Sequence, residues 1–387
     1  MAEKDALRIG ILAPVWFAVP PTGYGGIEWV VLLLADGLAE AGHDVTLFAS
    51  GDSRTNAKLS YVYAEAPSEL IGRSFPELRH ALAAYEQAGE LDIINDHTGP
   101  LGATLGGRFD VPVLHTLHGP LSGESGELYD QVARAAPDVG LISISLNQRK
   151  PKPDLNWVAN CPNALDLSLY PCHPHRGDYL LFLGRMSPDK GAHRAIAVAM
   201  ELGLPLKLAG KRAEAKERRY FEEYVRPHLV GGIEYLGEVS HGEKVELLQN
   251  ARATLFPVEW EEPFGLVMIE SMACGTPVIA TRHGAVPEVI EHGRSGIIVD
   301  HYREMPAALA IRVVIGDSLL HGWDLASALG RPYEMPDDVA TAQFEMMQQY
   351  YDPAARGPGR GFDLAVEWPE SAPVQERLVA LSGRRPA

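Results

Sequence analysis

The feature that most constrains the fold of this chain is an alternation of short apolar segments with amphipathic ones. Leu7–Ala13 and Asp44–Ala49 are apolar runs of strand length, and Ile27–Ala41 between them has apolar residues at helical spacing. Similar apolar runs recur at Leu91–Asn95, Val111–Leu117, Leu141–Ser145 and Trp157–Asn160. Because strands that alternate with helices pair in parallel, the pattern predicts a parallel sheet covered by helices on both faces.

The alternation stops at a stretch rich in proline and histidine, LYPCHPHRGD, and then begins again. A helix is predicted from about Ala192 to Glu201, and the strands are predicted at Tyr179–Gly184, Leu206–Ala209, Ile233–Leu236, Thr254–Pro257, Val278–Ala280 and Gly296–Val299. We therefore expect an α/β protein with two doubly wound, Rossmann-like domains, residues 1–170 and 171–308, that face each other across a cleft. Ligands of open α/β sheets bind beyond the carboxyl ends of the strands, so this cleft is the expected site.

Beyond about residue 310 the alternation ends. Segments 315–330 and 336–351 have helical spacing, DPAARGPGRGFD indicates a loop, and 371–381 indicates a last short helix, so residues 309–387 are expected to form a helical tail that packs on the domains. The stretch HGWDLA resembles part of the DinB-like, mycothiol-dependent maleylpyruvate isomerases, in which it contributes a metal-binding histidine, here His321. The other half of that family is absent, so the resemblance implies a gene fusion without a metal site.

Composition and charge exclude several classes of function. Hydrophobic residues make up 46% and charged residues 22%, as in an ordinary globular protein. No apolar run approaches the roughly 18 residues of a membrane span, and the N-terminus lacks the pattern of a secretory signal. The net charge is −17, with more than half of it in the first 172 residues, which disfavours nucleic acid and anionic bilayers as partners.

The cysteines indicate a reducing compartment. Cys161, Cys172 and Cys274 are odd in number and irregularly spaced, which argues against a disulfide framework and favours a cytoplasmic location. The first two lie near His173 and His175, but the group lacks the CxxC or HxxxH spacing of a zinc site, so no metal is expected there.

The most informative motif is EPFGLVMIE, from Glu262 to Glu270, where an apolar strand ends in an acidic loop and a helix begins near Gly265. The free amides and the dipole of a helix N-terminus suit a diphosphate. The two glutamates lie about two helical turns apart, so both can face one cleft. Spacing alone would favour two surface carboxylates, but the PFG and the following SMACGTPV favour a site that binds sugar hydroxyls and a ribose diol.

A second motif, GRMSPDKG, follows the apolar run YLLFL and places Arg185 and Lys190 in a loop at the carboxyl end of a predicted strand. Two basic residues in a loop, with no other motif beside them, are usually solvated. After a buried strand, however, two fixed cations can neutralise a leaving diphosphate.

Together these motifs resemble the family 4 glycosyltransferases of the GT-B fold, over residues 7 to about 304. The resemblance implies a retaining glycosyltransferase that moves a sugar from a nucleotide diphosphate sugar to an acceptor hydroxyl. Carried over to this sequence, Glu262 contacts the donor sugar, Glu270 binds the ribose, and the donor and its phosphate are held by the amides of Phe264, Gly265 and Leu266. The GR…KG pattern of the family likewise assigns the two loop cations to the diphosphate.

The resemblance also implies ligand contacts for three further segments. The loop PTGYGGIE alone indicates a tight turn at least as well as a phosphate-binding loop, but in the family its glycines, here Gly25 and Gly26, lie close to the donor phosphate and the acceptor. Gly210 and Lys211 follow the strand PLKLA at a usual position for nucleotide contacts. The segment GEVSH resembles the one that frames the base, which makes Val239 and Ser240 candidates.

Two histidines follow predicted strands of the same sheet. A single such histidine is usually structural. In the family the histidine of the TxHG-like segment, here His118, lies beside the anomeric carbon, and His97 in NDHTGP lines the acceptor side. His115 stands three residues before His118 and is expected to point elsewhere.

The expected mechanism needs no metal and no cofactor other than the donor, since the cleft loops carry no DxD motif. Retention by double displacement would require a carboxylate nucleophile about 5–5.5 Å from an acid partner. The sequence nominates none near His118, so the resemblance implies a front-face reaction in which the leaving diphosphate deprotonates the acceptor. A UDP-sugar is favoured as donor over GDP- or ADP-sugars.

Several alternatives stay open at this point. A nucleotide-sugar 2-epimerase of the same fold would share the donor site and lack an acceptor site, and a non-catalytic nucleotide-sugar binding protein would bind without turnover. The acceptor is expected to be a small molecule or a glycan, and the protein a monomer or a homodimer.

Overall fold

A computed structural model of the chain describes residues 6–23, 25–173, 177–301 and 365–382, together with positions 335, 337, 340, 341, 344, 345 and 348. The predicted helix 315–330, with His321, lies wholly outside the described residues. The predicted helix 336–351 lies mostly outside them. The last short helix is observed at Val374–Leu381, close to its predicted place.

Two parallel sheets carry the fold among the described residues. The strands of the first are β1 (Arg8–Leu12), β2 (Asp44–Phe48), β3 (Lys58–Ser60), β4 (Ile93–Asp96), β5 (Val113–Thr116), β6 (Gly140–Ser143) and β7 (Trp157–Asn160), in the order β3-β2-β1-β4-β5-β6-β7. Those of the second are β8 (Tyr179–Leu183), β9 (Leu206–Ala209), β10 (Ile233–Gly237), β11 (Ala251–Phe256), β12 (Val278–Thr281) and β13 (Gly296–Val299), in the order β10-β9-β8-β11-β12-β13. The residues through β7 are termed the first domain, and those from β8 to β13 the second.

Helices connect the strands and cover both sheets. They are α1 (Gly26–Glu40), α2 (Ser74–Tyr85), α3 (Pro100–Gly106), α4 (Glu124–Ala135), α5 (Leu146–Arg149), α6 (Ala192–Leu202), α7 (Ala215–Tyr220), α8 (His241–Gln249), α9 (Leu266–Ala273) and α10 (Val286–Val289). Among the residues that the structure describes, no helix is long and apolar enough to cross a bilayer. The predicted α/β fold with two doubly wound domains is confirmed.

The apolar character of the strands follows from burial on both faces. All five residues of β8 are buried. Leu180 and Phe182 pack in the cluster that includes Ala195 of α6, whereas Leu181 packs on the other face with Leu248 of α8. A strand covered on both sides has no polar face, which is why the sequence shows a continuous apolar run instead of an alternation.

The two domains touch at the carboxyl ends of their sheets. The carboxylate of Glu288 in α10 accepts hydrogen bonds from the amides of Leu146 and Asn147 at the start of α5, at 2.7 and 2.6 Å. The side-chain amide of Asn147 also donates to Glu261 at 2.8 Å. These three hydrogen bonds join the two domains at one side of the space between their sheets.

Candidate active site

A cavity of about 420 Å³ lies between the carboxyl ends of the two sheets and is lined by both domains. Its position is the one predicted for a ligand of two facing α/β sheets. Nine of the residues predicted from the sequence line it: Gly26, His118, Arg185, Lys190, Lys211, Glu262, Phe264, Gly265 and Leu266. The loops that follow β5, β8, β9 and β11 therefore meet at one place, although the residues are far apart in the chain.

Glu262 and Lys190 form an ion pair inside this cavity. The same carboxylate oxygen of Glu262 accepts a hydrogen bond from the indole N–H of Trp260 at 3.0 Å, and the ammonium group of Lys190 lies 4.8 Å from the centre of that ring. Glu262 is only 7% exposed, so the pair is largely removed from water. A fixed anion and a fixed cation thus stand side by side at the end of β8 and β11, where one can face a sugar and the other a phosphate.

The N-terminus of α9 points into the cavity next to this pair. Gly265 caps the helix in a left-handed conformation, with φ 86°, and a Cβ there would lie 2.7 Å from Cε of Met268. Glycine adopts this conformation without strain. Because the first amides of a helix have no partner within it, α9 offers hydrogen-bond donors and a partial positive charge at the cavity wall.

Two further cations line the same wall. The guanidinium of Arg185 lies 3.3 Å from the carboxylate of Asp189, and its side chain is 23% exposed. The ammonium group of Lys211 lies 4.0 Å from the carboxylate of Glu214, which also lines the cavity. The second domain therefore presents three basic side chains near one helix N-terminus, an arrangement that attracts a multiply charged anion.

Gly210 holds the turn that precedes Lys211 but does not itself line the cavity. Its φ is 149°, and a Cβ would lie 1.8 Å from the carbonyl oxygen of Gly184. A side chain at this position would displace the loop that carries Arg185, so glycine is required for the close approach of the two loops.

The predicted histidines form one hydrogen-bonded pair. Nδ1 of His97 lies 2.9 Å from Nε2 of His118, and one ring donates to the other. His118 lines the cavity, whereas His97 is buried behind it and is not among the lining residues. Burial, with a smaller contribution from the nearby His115, lowers the pKa of His118 to about 3, and burial also lowers the pKa of His97 well below its usual value. Both rings are therefore neutral at physiological pH.

His115 lies on β5 and is not among the residues that line the cavity. Its ring bridges the carboxylate of Asp96, at 3.2 Å, and the hydroxyl of Tyr129, at 2.9 Å, and all three groups are buried. Asp96 also accepts hydrogen bonds from the backbone and hydroxyl of Thr98. This network holds the loop that carries His97, and none of its side chains is among those that line the cavity.

Glu270 lies at the C-terminal side of the motif, outside the cavity lining, and is 5% exposed. Its carboxylate accepts hydrogen bonds from the hydroxyl of Tyr170, at 2.8 Å, and from the ammonium group of Lys244, at 2.6 Å. Tyr170 belongs to the segment that connects the two domains. The carboxylate predicted to bind the ribose therefore also contacts that segment.

Val239 and Ser240 line a second cavity of about 490 Å³ rather than the first. Ser240 caps α8, and its backbone amide donates to Glu243 at 2.8 Å, which forms a reciprocal capping box. Phe17 lines both cavities, so the second adjoins the first. Gly25 contributes to neither lining but precedes Gly26, whose Cα faces Leu266 across the cleft.

Sequence reasoning missed several residues that line the first cavity. They include Trp16, Phe17, Glu28, Asn163, Glu214 and Trp260. Glu28 is 3% exposed, and burial raises its pKa to about 7. Glu28 ends the PTGYGGIE loop, but an acidic residue in the first turn of a helix is common, and the sequence does not show that this one is buried.

A metal site is not seen in the part of the chain that the structure describes, where no three His, Cys, Asp or Glu side chains gather in a way that could hold an ion. Cys161 and Cys172 are exposed and Cys274 is buried, and none of the three forms a disulfide. The groups that line or face the cavity include the ion pair, the basic side chains, the helix N-terminus and the neutral histidine.

Two family models match this chain. Residues 24–152 match the family model described as Glycosyltransferase Family 4, and residues 173–329 match the one described as Glycosyl transferases group 1. The glycogen synthase of Mycobacterium tuberculosis is 27% identical over 352 residues, which cover 77% of this chain and 84% of that protein. The second match reaches residue 329 and includes the HGWDLA segment, whose resemblance to an isomerase family gains no support.

Solved structures share the fold. The glycosyltransferase AviGT4 of avilamycin A biosynthesis is 26% identical and superposes with a TM-score of 0.60, covering 80% of this chain and 88% of that one. The structure of Anabaena HepE in complex with UDP and glucose gives a TM-score of 0.62 at 19% identity, covering 89% of this chain and 99% of that one.

Proposed function

We propose that this chain, a glycosyltransferase of the GT-B fold that uses a nucleotide sugar, transfers the sugar with retention of configuration and without an obligatory metal. The observation that carries the proposal is the meeting of three basic side chains and the α9 N-terminus with His118 and Glu262 around one cavity. The donor is a nucleotide diphosphate sugar, with UDP favoured over GDP or ADP.

The diphosphate is proposed to lie against Arg185, Lys190 and the first amides of α9. A charge-assisted hydrogen bond contributes roughly 1.5–3 kcal/mol, and partial burial limits screening by salt. The same groups stabilise the negative charge that develops on the leaving diphosphate as the bond to the sugar breaks. They supply the positive charge that a divalent metal provides in other transferases.

The sugar is proposed to lie between Glu262 and His118. Glu262 accepts hydrogen bonds from sugar hydroxyls, and its ion pair with Lys190 keeps the carboxylate beside the phosphate end of the donor. The neutral state of His118 suits its position, because an imidazolium would oppose the positive charge that builds up on an oxocarbenium-like transition state.

The nucleoside is proposed to extend along the second domain towards Glu270. The contacts of Glu270 with Tyr170 and Lys244 orient its carboxylate, which can then accept hydrogen bonds from a ribose diol. Gly210 lets the loop beside the nucleoside approach the loop that carries Arg185 closely, and Val239 and Ser240 are proposed to frame the base at the edge of the adjoining cavity.

The proposal is tested by incubating the full chain with UDP-glucose, GDP-mannose and ADP-glucose and a panel of methyl glycosides, maltooligosaccharides and inositols. Mass spectrometry identifies a glycosylated product, and NMR of the anomeric proton shows whether configuration is retained. An inverted product would exclude the retaining mechanism.

The same assay separates the other functions. A 2-epimerase would release nucleotide from a UDP-sugar at the same rate with and without any acceptor. A binding protein would show a higher melting temperature with UDP and no turnover of any donor.

A further inference from the structure

A buried arginine lies between the two loops that carry the ion pair of the site. Arg194 belongs to the first turn of α6 and is 5% exposed. Its guanidinium donates hydrogen bonds to the carbonyl oxygens of Pro257, at 2.8 Å, and of Pro188, at 3.3 Å. It also forms an ion pair with the carboxylate of Glu259. One side chain therefore contacts both the loop after β8 and the loop after β11.

These two loops bring together side chains that line the cavity. Lys190 follows two residues after the carbonyl group that the guanidinium binds in the first loop, and Glu262 follows five residues after the one it binds in the second. The two side chains belong to different loops and form their ion pair across the gap between them. The loops are also joined directly, because the amide of Glu259 donates to the carbonyl oxygen of Asp189 at 3.3 Å. A guanidinium that holds both loops therefore helps to set the distance across this pair.

The glycine that follows Lys190 is explained by the same guanidinium. Gly191 has a φ of 82°, and a Cβ there would lie 2.3 Å from Nη1 of Arg194 and 2.4 Å from the carbonyl oxygen of Pro257. Glycine adopts this backbone conformation without strain. A side chain at this position would also push the guanidinium away from the carbonyl group that it binds, so the glycine lets α6 begin directly against the loop after β11.

The position suits a guanidinium better than an ammonium group. A guanidinium has five N–H donors in a fixed planar arrangement, so it can bind two backbone carbonyl groups and a carboxylate at the same time. Lysine has the same charge, but its ammonium group is a compact point charge on a flexible stem. Arg194 is not among the residues that line either cavity, so any effect on a ligand there must act through residues that do line it.

We propose that Arg194 is a positioning residue of the donor site, which holds the loops after β8 and β11 together so that Lys190 meets the diphosphate and Glu262 meets the sugar. The inference rests on the proposed function, because Arg194 acts through groups that are assigned there to the donor. A displacement of about 1 Å is enough to weaken an oriented contact strongly. Loss of the clamp should therefore affect binding of the diphosphate and leave binding of the nucleoside unchanged, whereas a residue that only stabilised the fold would not separate the two.

The test is a double-mutant cycle on the affinity for UDP, measured by calorimetry at a temperature at which the variants are folded. Arg194→Met removes the donors, Arg194→Lys keeps the charge, and Arg219→Met is the control, with a side chain that is 87% exposed in the same domain. Arg194→Met is expected to weaken UDP binding roughly 10-fold and Arg194→Lys less, while the control and the affinity for uridine change by less than about twofold. In a Lys190→Ala background, Arg194→Met should weaken UDP binding by less than about threefold, because the cation through which it acts is gone.

Three results would overturn the inference and leave the proposed function intact. They are an unchanged affinity of Arg194→Met for UDP, an equal loss for UDP and uridine, and the same loss with and without Lys190. Unchanged UDP affinity in Lys190→Ala alone would instead refute the proposed place of the diphosphate, and the role of Arg194 with it. If melting curves show that Arg194→Met does not fold, the same cycle is carried out with Arg194→Lys, which keeps the buried charge, and the same three results would overturn the inference.

Discussion

Glu28 makes the stability of the ligand-free protein depend on pH in a way that can be calculated. Burial raises its pKa from the model-peptide value of 4.5 to about 7. Between these values the folded protein binds a proton that the unfolded chain releases. The contribution of Glu28 to the free energy of unfolding is therefore fully present below pH 4.5, where the group is protonated in both states. It is lost as pH rises through about 7, where the folded protein also releases the proton.

The size of the effect follows from the shift. Each pKa unit corresponds to about 1.4 kcal/mol, so a change from 4.5 to about 7 amounts to about 3 kcal/mol. Glu28→Gln cannot ionise and removes this contribution. Relative to wild type, the variant should therefore gain about 3 kcal/mol of unfolding free energy between pH 4.5 and pH 8.

Urea unfolding at pH 5 and pH 8 measures the difference, with Glu40→Gln as the matched control. Glu40 is exposed at the end of the same helix, so its variant should follow wild type at both values. Parallel pH dependences of wild type and Glu28→Gln would refute the reasoning, because they would mean that Glu28 is ionised at its normal pKa and is solvated in the cleft.

Three further predictions concern the donor site. Glu262→Ala should lower transfer by about 10²–10³-fold while UDP still binds, since Glu262 is assigned to the reacting sugar; collapse of UDP affinity with normal turnover would contradict that role. Lys190→Ala and Arg185→Ala should each weaken binding of UDP roughly 10- to 100-fold and leave binding of uridine nearly unchanged, because both cations are assigned to the diphosphate; equal losses for both ligands in calorimetry would count against this. Transfer should persist in EDTA, and activity that is lost there and restored by Mg²⁺ or Mn²⁺ would disprove metal independence.

The fold could be predicted from the sequence because buried parallel strands leave a strong local signal. Runs such as Tyr179–Leu183 are apolar at every position, and their alternation with helical spacing indicates the topology. The strand Lys58–Ser60 was not predicted, since it is three residues long and its residues are only half-buried or exposed. A short edge strand carries no such pattern.

The candidate site was predictable where a residue follows a strand in a recognisable motif, as Glu262 and Arg185 do. Glu28 was not, because an acidic residue in the first turn of a helix is usually exposed, and its burial is visible only in the folded structure. The placement of His97 behind His118 likewise depends on the packing of two loops, and both histidines follow strands in the sequence in the same manner.

The carboxylate of Glu288 lies on one domain, and the two amides that hold it lie on the other. As long as both hydrogen bonds persist, the two domains are held together at this point, and moving them apart here must break both bonds. Opening at this point is therefore a discrete step rather than a gradual widening. The carboxylate of Glu288 and the two amides lose their hydrogen bonds to each other and form hydrogen bonds with water instead.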